Sequence, residues 1–97
     1  MTVAEIADMF DVSIKAEGSA SVALSNHNKA AQVTVDGSHI KITTNEEDIS
    51  TRQDFERLID AITVAKCIAS GFPNITEDEL RAARNQASAL VGEYGDY

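Results

Sequence analysis

The sequence predicts an α+β domain: a short N-terminal helix, an antiparallel sheet of about four strands in two hairpins, and two C-terminal helices packed on the sheet. Three observations point there. Val33 and Val35, then Ile40 and Ile42, alternate with polar residues around Asp36-Gly37, a strong short-range hairpin signal. Apolar residues before and after this stretch recur at three- and four-residue spacing, as amphipathic helices require. Paired hydroxyl and carboxyl or amide residues stand three apart at the start of each helical run, which is the capping-box pattern.

Thr2 caps the first helix, with Glu5 reaching back; Val3, Ile6, Met9 and Phe10 form its stripe and Glu5, Asp8 and Asp11 face outward. From Val12 the period drops to two. Val12, Ile14 and Ala16 alternate with Ser13, Lys15 and Glu17, and after the Gly18-Ser19 break Ala20, Val22 and Leu24 do the same, giving a first hairpin. The turn-rich Asn26-His27-Asn28-Lys29 then leads into the central hairpin. The simplest product is a four-strand meander with one apolar and one polar face.

After Thr44 come Asn45-Glu46-Glu47-Asp48, then Ile49 as a hydrophobic staple and Ser50 to Gln53 as a capping box. The long helix that follows has the stripe Phe55, Leu58, Ile59, Ile62, Ala65 and Ala69, widened by Val64, Cys67 and Ile68 near its end. Ser70-Gly71 stops it, and Pro73 follows. Thr76 and Glu79 cap the last helix, Ile75 staples to Leu80, and Leu80, Ala83, Ala87, Leu90 and Val91 face inward as far as Gly92. Residues 93–97 read as a short acidic tail.

The chain of 97 residues carries 16 acids against 8 lysines and arginines, a formal charge of −8. Such a charge repels nucleic acid and anionic membranes and attracts a basic protein surface. The excess is uneven: residues 46–54 hold four acids and one base and 76–97 five and two, whereas 55–75 is neutral. First-turn carboxylates complement the helix dipole by ~0.3–1 kcal/mol each, which accounts for much of Glu77-Asp78-Glu79. Glu46-Glu47-Asp48 precede the cap, so that explanation does not reach them. Duplex DNA carries a charge every ~1.7 Å of axis, and three consecutive acids present a comparable local density.

Cofactor and metal chemistry find no footing in this pattern. His27 and His39 stand at turns without Cys or Glu at ligand spacing, the glycines are scattered singly rather than forming a phosphate loop, and no serine or cysteine has a histidine at nucleophile spacing. The lone Cys67 lies within an apolar helical pattern and reads as a reduced core residue in a cytoplasmic setting. No apolar run approaches ~20 residues, and the N-terminus lacks the basic start of a signal peptide. The expectation is a single non-enzymatic domain over residues 1–97.

VAEIADMFDVS, residues 3–13, looks like the opening of a helix-turn-helix repressor, but the alternating, glycine-broken run after it leaves no recognition helix. A broader resemblance lies in VTVDGSHIKITTNEEDIS and FERLIDAI, residues 33–50 and 55–62: a hairpin, an acidic connection and an amphipathic helix. In this order and in its acidity the chain resembles small phage-encoded anti-CRISPR proteins that act as DNA mimics. The resemblance implies an inhibitor in the host bacterial cytoplasm that binds a CRISPR surveillance complex, of type I by preference, and competes with target DNA at a Lys/Arg-lined site. Glu46, Glu47, Asp48 and Asp54 would then imitate phosphates, with Glu77, Asp78 and Glu79 as a second cluster. The alternative expectation is a small structural or assembly module of a phage or bacterial complex, held by apolar surface.

Overall fold

The computed structural model describes residues 1–15, 19–24, 30–36, 39–43 and 51–94. Its elements, in chain order, are α1 (Val3–Phe10), β1 (Ser13–Lys15), β2 (Ser19–Ala23), β3 (Ala30–Asp36), β4 (His39–Thr43), α2 (Arg52–Ser70) and α3 (Glu77–Tyr94). The four strands form one antiparallel sheet in the order β1-β2-β3-β4. This is the expected α+β meander with helices around it.

Register explains which residues meet the helices. Ile14 lies opposite Ala20, Ala20 opposite Val33, and Val33 opposite Ile42, and directly opposed residues share a face. Val22 and Ala31, then Val35 and Ile40, extend the same face. Ala20, Val22, Ala31 and Val33 are buried, because α2 lies across β2 and β3, with α3 packed chiefly on α2. Ser13, Ser21, Gln32 and Thr43 form a row on the opposite, polar face, where Gln32 Nε2 donates to Ser19 Oγ at 3.3 Å. Asp36 pairs with His39 and so belongs to β3 rather than to the expected turn. Ser19, expected in the break after the first strand, is the first residue of β2 and pairs with Lys15; Ala16, Glu17, Gly18, Asn26, His27, Asn28, Lys29 and Gly37 lie outside the described residues.

Local chemistry sets the helix ends. Thr2 and Glu5 make both bonds of a capping box at α1, and Thr76 and Glu79 do so at α3, as their spacing predicts. The long helix starts one residue later than expected: Thr51, not Ser50, is its cap, and Asp54 rather than Gln53 is the residue that reaches back. Ile49 and Ser50 lie outside the described residues. Gly71 closes α2 in the left-handed conformation at φ 71°, where a side chain would be strained. The last helix runs through Gly92 to Tyr94, since a glycine ends a helix only when its backbone turns left-handed.

The buried positions differ from the expected stripes at three places. Met9 is 57% exposed: at about 100° per residue, Val3, Ile6, Ala7 and Phe10 span one arc of α1 and Met9 falls outside it. Ile14 is 45% exposed, since β1 is an edge strand beyond the reach of α2. Ala69 is exposed in the last turn of α2, whereas the middle of that helix, from Leu58 to Ala65, is buried on nearly every side. Cover on several sides begins a turn earlier than expected, in a helix that packs against the sheet, α1 and α3.

Two long-range ties hold the short first helix. The Met1 amino group donates to the Ile75 carbonyl at 2.9 Å and the Ile75 amide donates to the Met1 carbonyl at 2.6 Å. At the other end, Arg57 of α2 donates from Nη1 to the Phe10 carbonyl and from Nη2 to the Asp11 carbonyl, both at 2.6 Å. The C-terminal turn of α1 has no basic residue of its own, and Arg57 satisfies its free carbonyls from outside. Arg57 also pairs with Asp60 at 3.4 Å, which in turn pairs with Arg84 of α3; the Arg84 guanidinium lies 5.3 Å from the centre of the Phe10 ring.

Candidate functional site

Four of the exposed acids that the structure describes, Glu5, Glu77, Asp78 and Glu79, stand at the starts of α1 and α3, while Asp8, Asp11 and Glu56 are exposed farther along α1 and near the start of α2. Glu77, Asp78 and Glu79 occupy the first turn of α3. The Met1–Ile75 pair sets the start of α1 beside the start of α3, so Glu5 joins them from a position 74 residues away. Two helix N-termini thus point their carboxylates to the same end. Glu5 was not a candidate from sequence, because nothing local connects it with residue 77. The Asp78 side chain is 93% exposed, and its ion pair with Arg81 at 3.6 Å is itself exposed. Such a pair is screened by water and salt.

Glu5 and Glu79 have a local duty as well. The backbone amides of Thr2 and Thr76 donate to their carboxylates at 3.1 and 3.0 Å, and these bonds, seconded by the threonine hydroxyls, hold both groups below the ordinary carboxylate range. A lowered folded pKa means that the unfolded chain binds more protons as the pH drops, so the stabilisation is present above the ordinary carboxylate range and is lost as pH falls through the folded values. The double variant Glu5→Gln/Glu79→Gln is therefore expected to have a shallower acid limb than the wild type. Urea midpoints measured from neutral pH down through the carboxylate range check this; parallel limbs would show that the caps contribute nothing to acid sensitivity.

Asp54 does not belong to this surface. Its side chain is fully buried and its carboxylate accepts from the Thr51 amide at 3.4 Å as the α2 cap, so it cannot stand in for a phosphate on a partner. Residues 46–48 lie outside the described residues. Thr51, where the described chain resumes after them, is at the opposite end of α2 from Gly71 and the start of α3, roughly 27 Å away for a helix of this length.

Of the described cations, Lys15, Lys41, Arg52 and Arg81 are exposed, and the other three have partners within the fold. Arg57 and Arg84 serve the Asp60 network and Lys66 donates to Gln86 Oε1 at 2.9 Å. At the α1–α3 end Glu5, Glu77, Asp78 and Glu79 outnumber Arg81, which pairs with Asp78, and the Met1 amino group.

Beside these acids a groove of about 400 Å³ opens between the last turns of α2, the first turns of α3 and Val35 of β3. Phe72, 51% exposed, stands at it, and Cys67 is buried within its wall. Burial, and then the charge of Glu79, push the Cys67 thiol up, which makes it a poor nucleophile. Among the described residues no three His, Cys, Asp or Glu side chains are placed to hold a metal ion, and no helix is long and apolar enough to cross a membrane. His39 is exposed at the start of β4. No protein-family model matches the chain, and neither a curated protein nor a solved structure matches it.

Proposed function

We propose that this protein is a non-enzymatic inhibitor that occupies a Lys/Arg-lined nucleic-acid site on another protein, with carboxylates standing where phosphates would bind. The observation that carries this reading is an acidic end: Glu5, Glu77, Asp78 and Glu79 face solvent at the starts of α1 and α3, against Arg81 and the Met1 amino group. A field of that kind steers encounter with a basic surface and weakens with salt. The partner we propose is a type I CRISPR surveillance complex, on the resemblance of residues 33–50 and 55–62 to anti-CRISPR DNA mimics, with Glu46, Glu47 and Asp48 as a second acidic group.

The test is a gel-shift competition in which the purified surveillance complex is incubated with this protein and then offered its target duplex, at low and at moderate salt. The expected result is loss of DNA binding that prior incubation with DNA prevents, relieved as salt rises. Reversing Glu77 and Asp78 to lysine, with or without reversal of Glu46, Glu47 and Asp48, is expected to relieve the block while leaving the fold intact, because Glu79 keeps its cap. Undiminished DNA binding by the complex removes the inhibitor reading. The exposure of Met9, Ile14 and Phe72 favours the second reading, an assembly module docked through apolar surface, whose binding would change little with salt.

A further inference from the structure

We propose that the groove between α2 and α3 receives a large apolar side chain from a segment of a basic protein, flanked by lysine or arginine residues that meet the acids at its rim. This inference rests on the charge-based reading above and adds an apolar anchor to it.

The walls select the occupant. Val35, Ala69, Phe72, Ile75 and Ala83 supply apolar surface. The polar side chains between them already have internal partners: Lys66 donates to Gln86, Ser70 Oγ donates to the Cys67 carbonyl at 2.7 Å and accepts from the Phe72 amide at 3.3 Å, and Glu79 accepts from Thr76 at 3.0 Å. The larger part of the lining surface is apolar. An aliphatic or aromatic side chain displaces none of those hydrogen bonds and gains by leaving water. The volume of about 400 Å³ lies in the range of binding clefts.

Phe72 marks the entrance. It follows directly on Gly71, whose left-handed turn carries the chain out of α2, and half of its ring surface remains in water. Exposed aromatic residues beside clefts are the common anchors of protein interfaces. Charge sets the flanks: Glu79 lines the groove itself, Glu77 and Asp78 precede it in the same turn, and Lys66 is the one described cation in the wall. Arg81, exposed beside this turn and paired with Asp78, offsets part of their charge; the three acids exceed Lys66 and Arg81 by one, and the complementary segment is basic.

The experiment is a nuclear magnetic resonance titration of the full chain with short synthetic peptides: one with a leucine flanked by arginines, one with that leucine replaced by serine, and one with the arginines replaced by glutamates. The leucine–arginine peptide is expected to shift the Val35, Ala69 and Ala83 methyl signals and the Phe72 ring. Serine in place of leucine should weaken binding about tenfold or more, and glutamates should abolish it. Phe72→Ala, and separately Ala82→Gln, which places a neutral side chain at the groove wall from an exposed helix position, should each weaken the leucine peptide while circular dichroism stays unchanged.

Equal binding of the serine and leucine peptides, shifts confined to other surfaces, or no binding would overturn the proposal. So would groove signals that move with protein concentration alone, which would assign the groove to a second copy. Failure of the charge-based reading looks different: the surveillance complex would go unbound while the leucine–arginine peptide still seats in the groove. If the complex binds, is unaffected by Phe72→Ala, and the peptide does not bind, charge mimicry stands and the groove proposal falls.

Discussion

Replacing Leu58 by alanine is expected to lower stability by about 2–5 kcal/mol, a large share of the total that a single small domain has. Leu58 is fully buried in α2, a helix that packs against the sheet, α1 and α3. A helix held on several sides cannot relax into the space left by a missing isobutyl group, so a cavity term adds to the lost transfer energy. Met9→Ala is the contrasting substitution: with 57% of Met9 in water, its expected cost is below about 1 kcal/mol. Urea unfolding of the two variants measures the difference. Similar midpoints for both would mean that α2 is not the centre of the core.

That contrast also marks how far the residues alone disclose the fold. Features fixed by neighbours a few positions apart were legible: the Thr2–Glu5 and Thr76–Glu79 boxes, the alternation in β2, β3 and β4, and the Gly71 stop all depend on local backbone chemistry. Features fixed by what lies across the molecule were not. Ile14 is apolar at a sound periodic position, and only the absence of cover from α2 puts it in water, while Met9 lies outside the arc that α1 turns inward. Ser50 and Thr51 are equally good caps by composition, and the choice of Thr51 buries Asp54, which removes one of the acids expected on the surface.

The candidate surface divides along the same line. Glu77, Asp78 and Glu79 stand on the exposed first turn where their spacing places them. The addition of Glu5 depends on a pair of hydrogen bonds between residues 1 and 75, and the groove beside them draws its walls from β3, α2 and α3. No window along the chain contains either arrangement.

Arg57→Met is expected to cost about 2–3 kcal/mol, with Arg84→Met costing about 1 kcal/mol or less. The two arginines share Asp60, yet their surroundings differ. Arg57 is 18% exposed at the side chain and also donates to the Phe10 and Asp11 carbonyls, the free acceptors at the end of α1. Methionine retains most of the apolar stem but returns none of those bonds, so the part-buried Phe10 carbonyl and the Asp60 carboxylate lose a charged donor. Arg84 is 42% exposed; without it Asp60 still has Arg57, and water can solvate what is released. Because both arginines act on one carboxylate, the double variant should depart from the sum of the singles, and a double-mutant cycle by urea unfolding measures that coupling. Hydrogen exchange gives the local counterpart: Arg57→Met should speed exchange of the Asp11 and Val12 amides, which bond back to α1, before it affects the middle of α2. Equal costs for the two arginines, with unchanged exchange at Asp11 and Val12, would show that Arg57 acts only as one half of a surface ion pair and does not hold the end of α1.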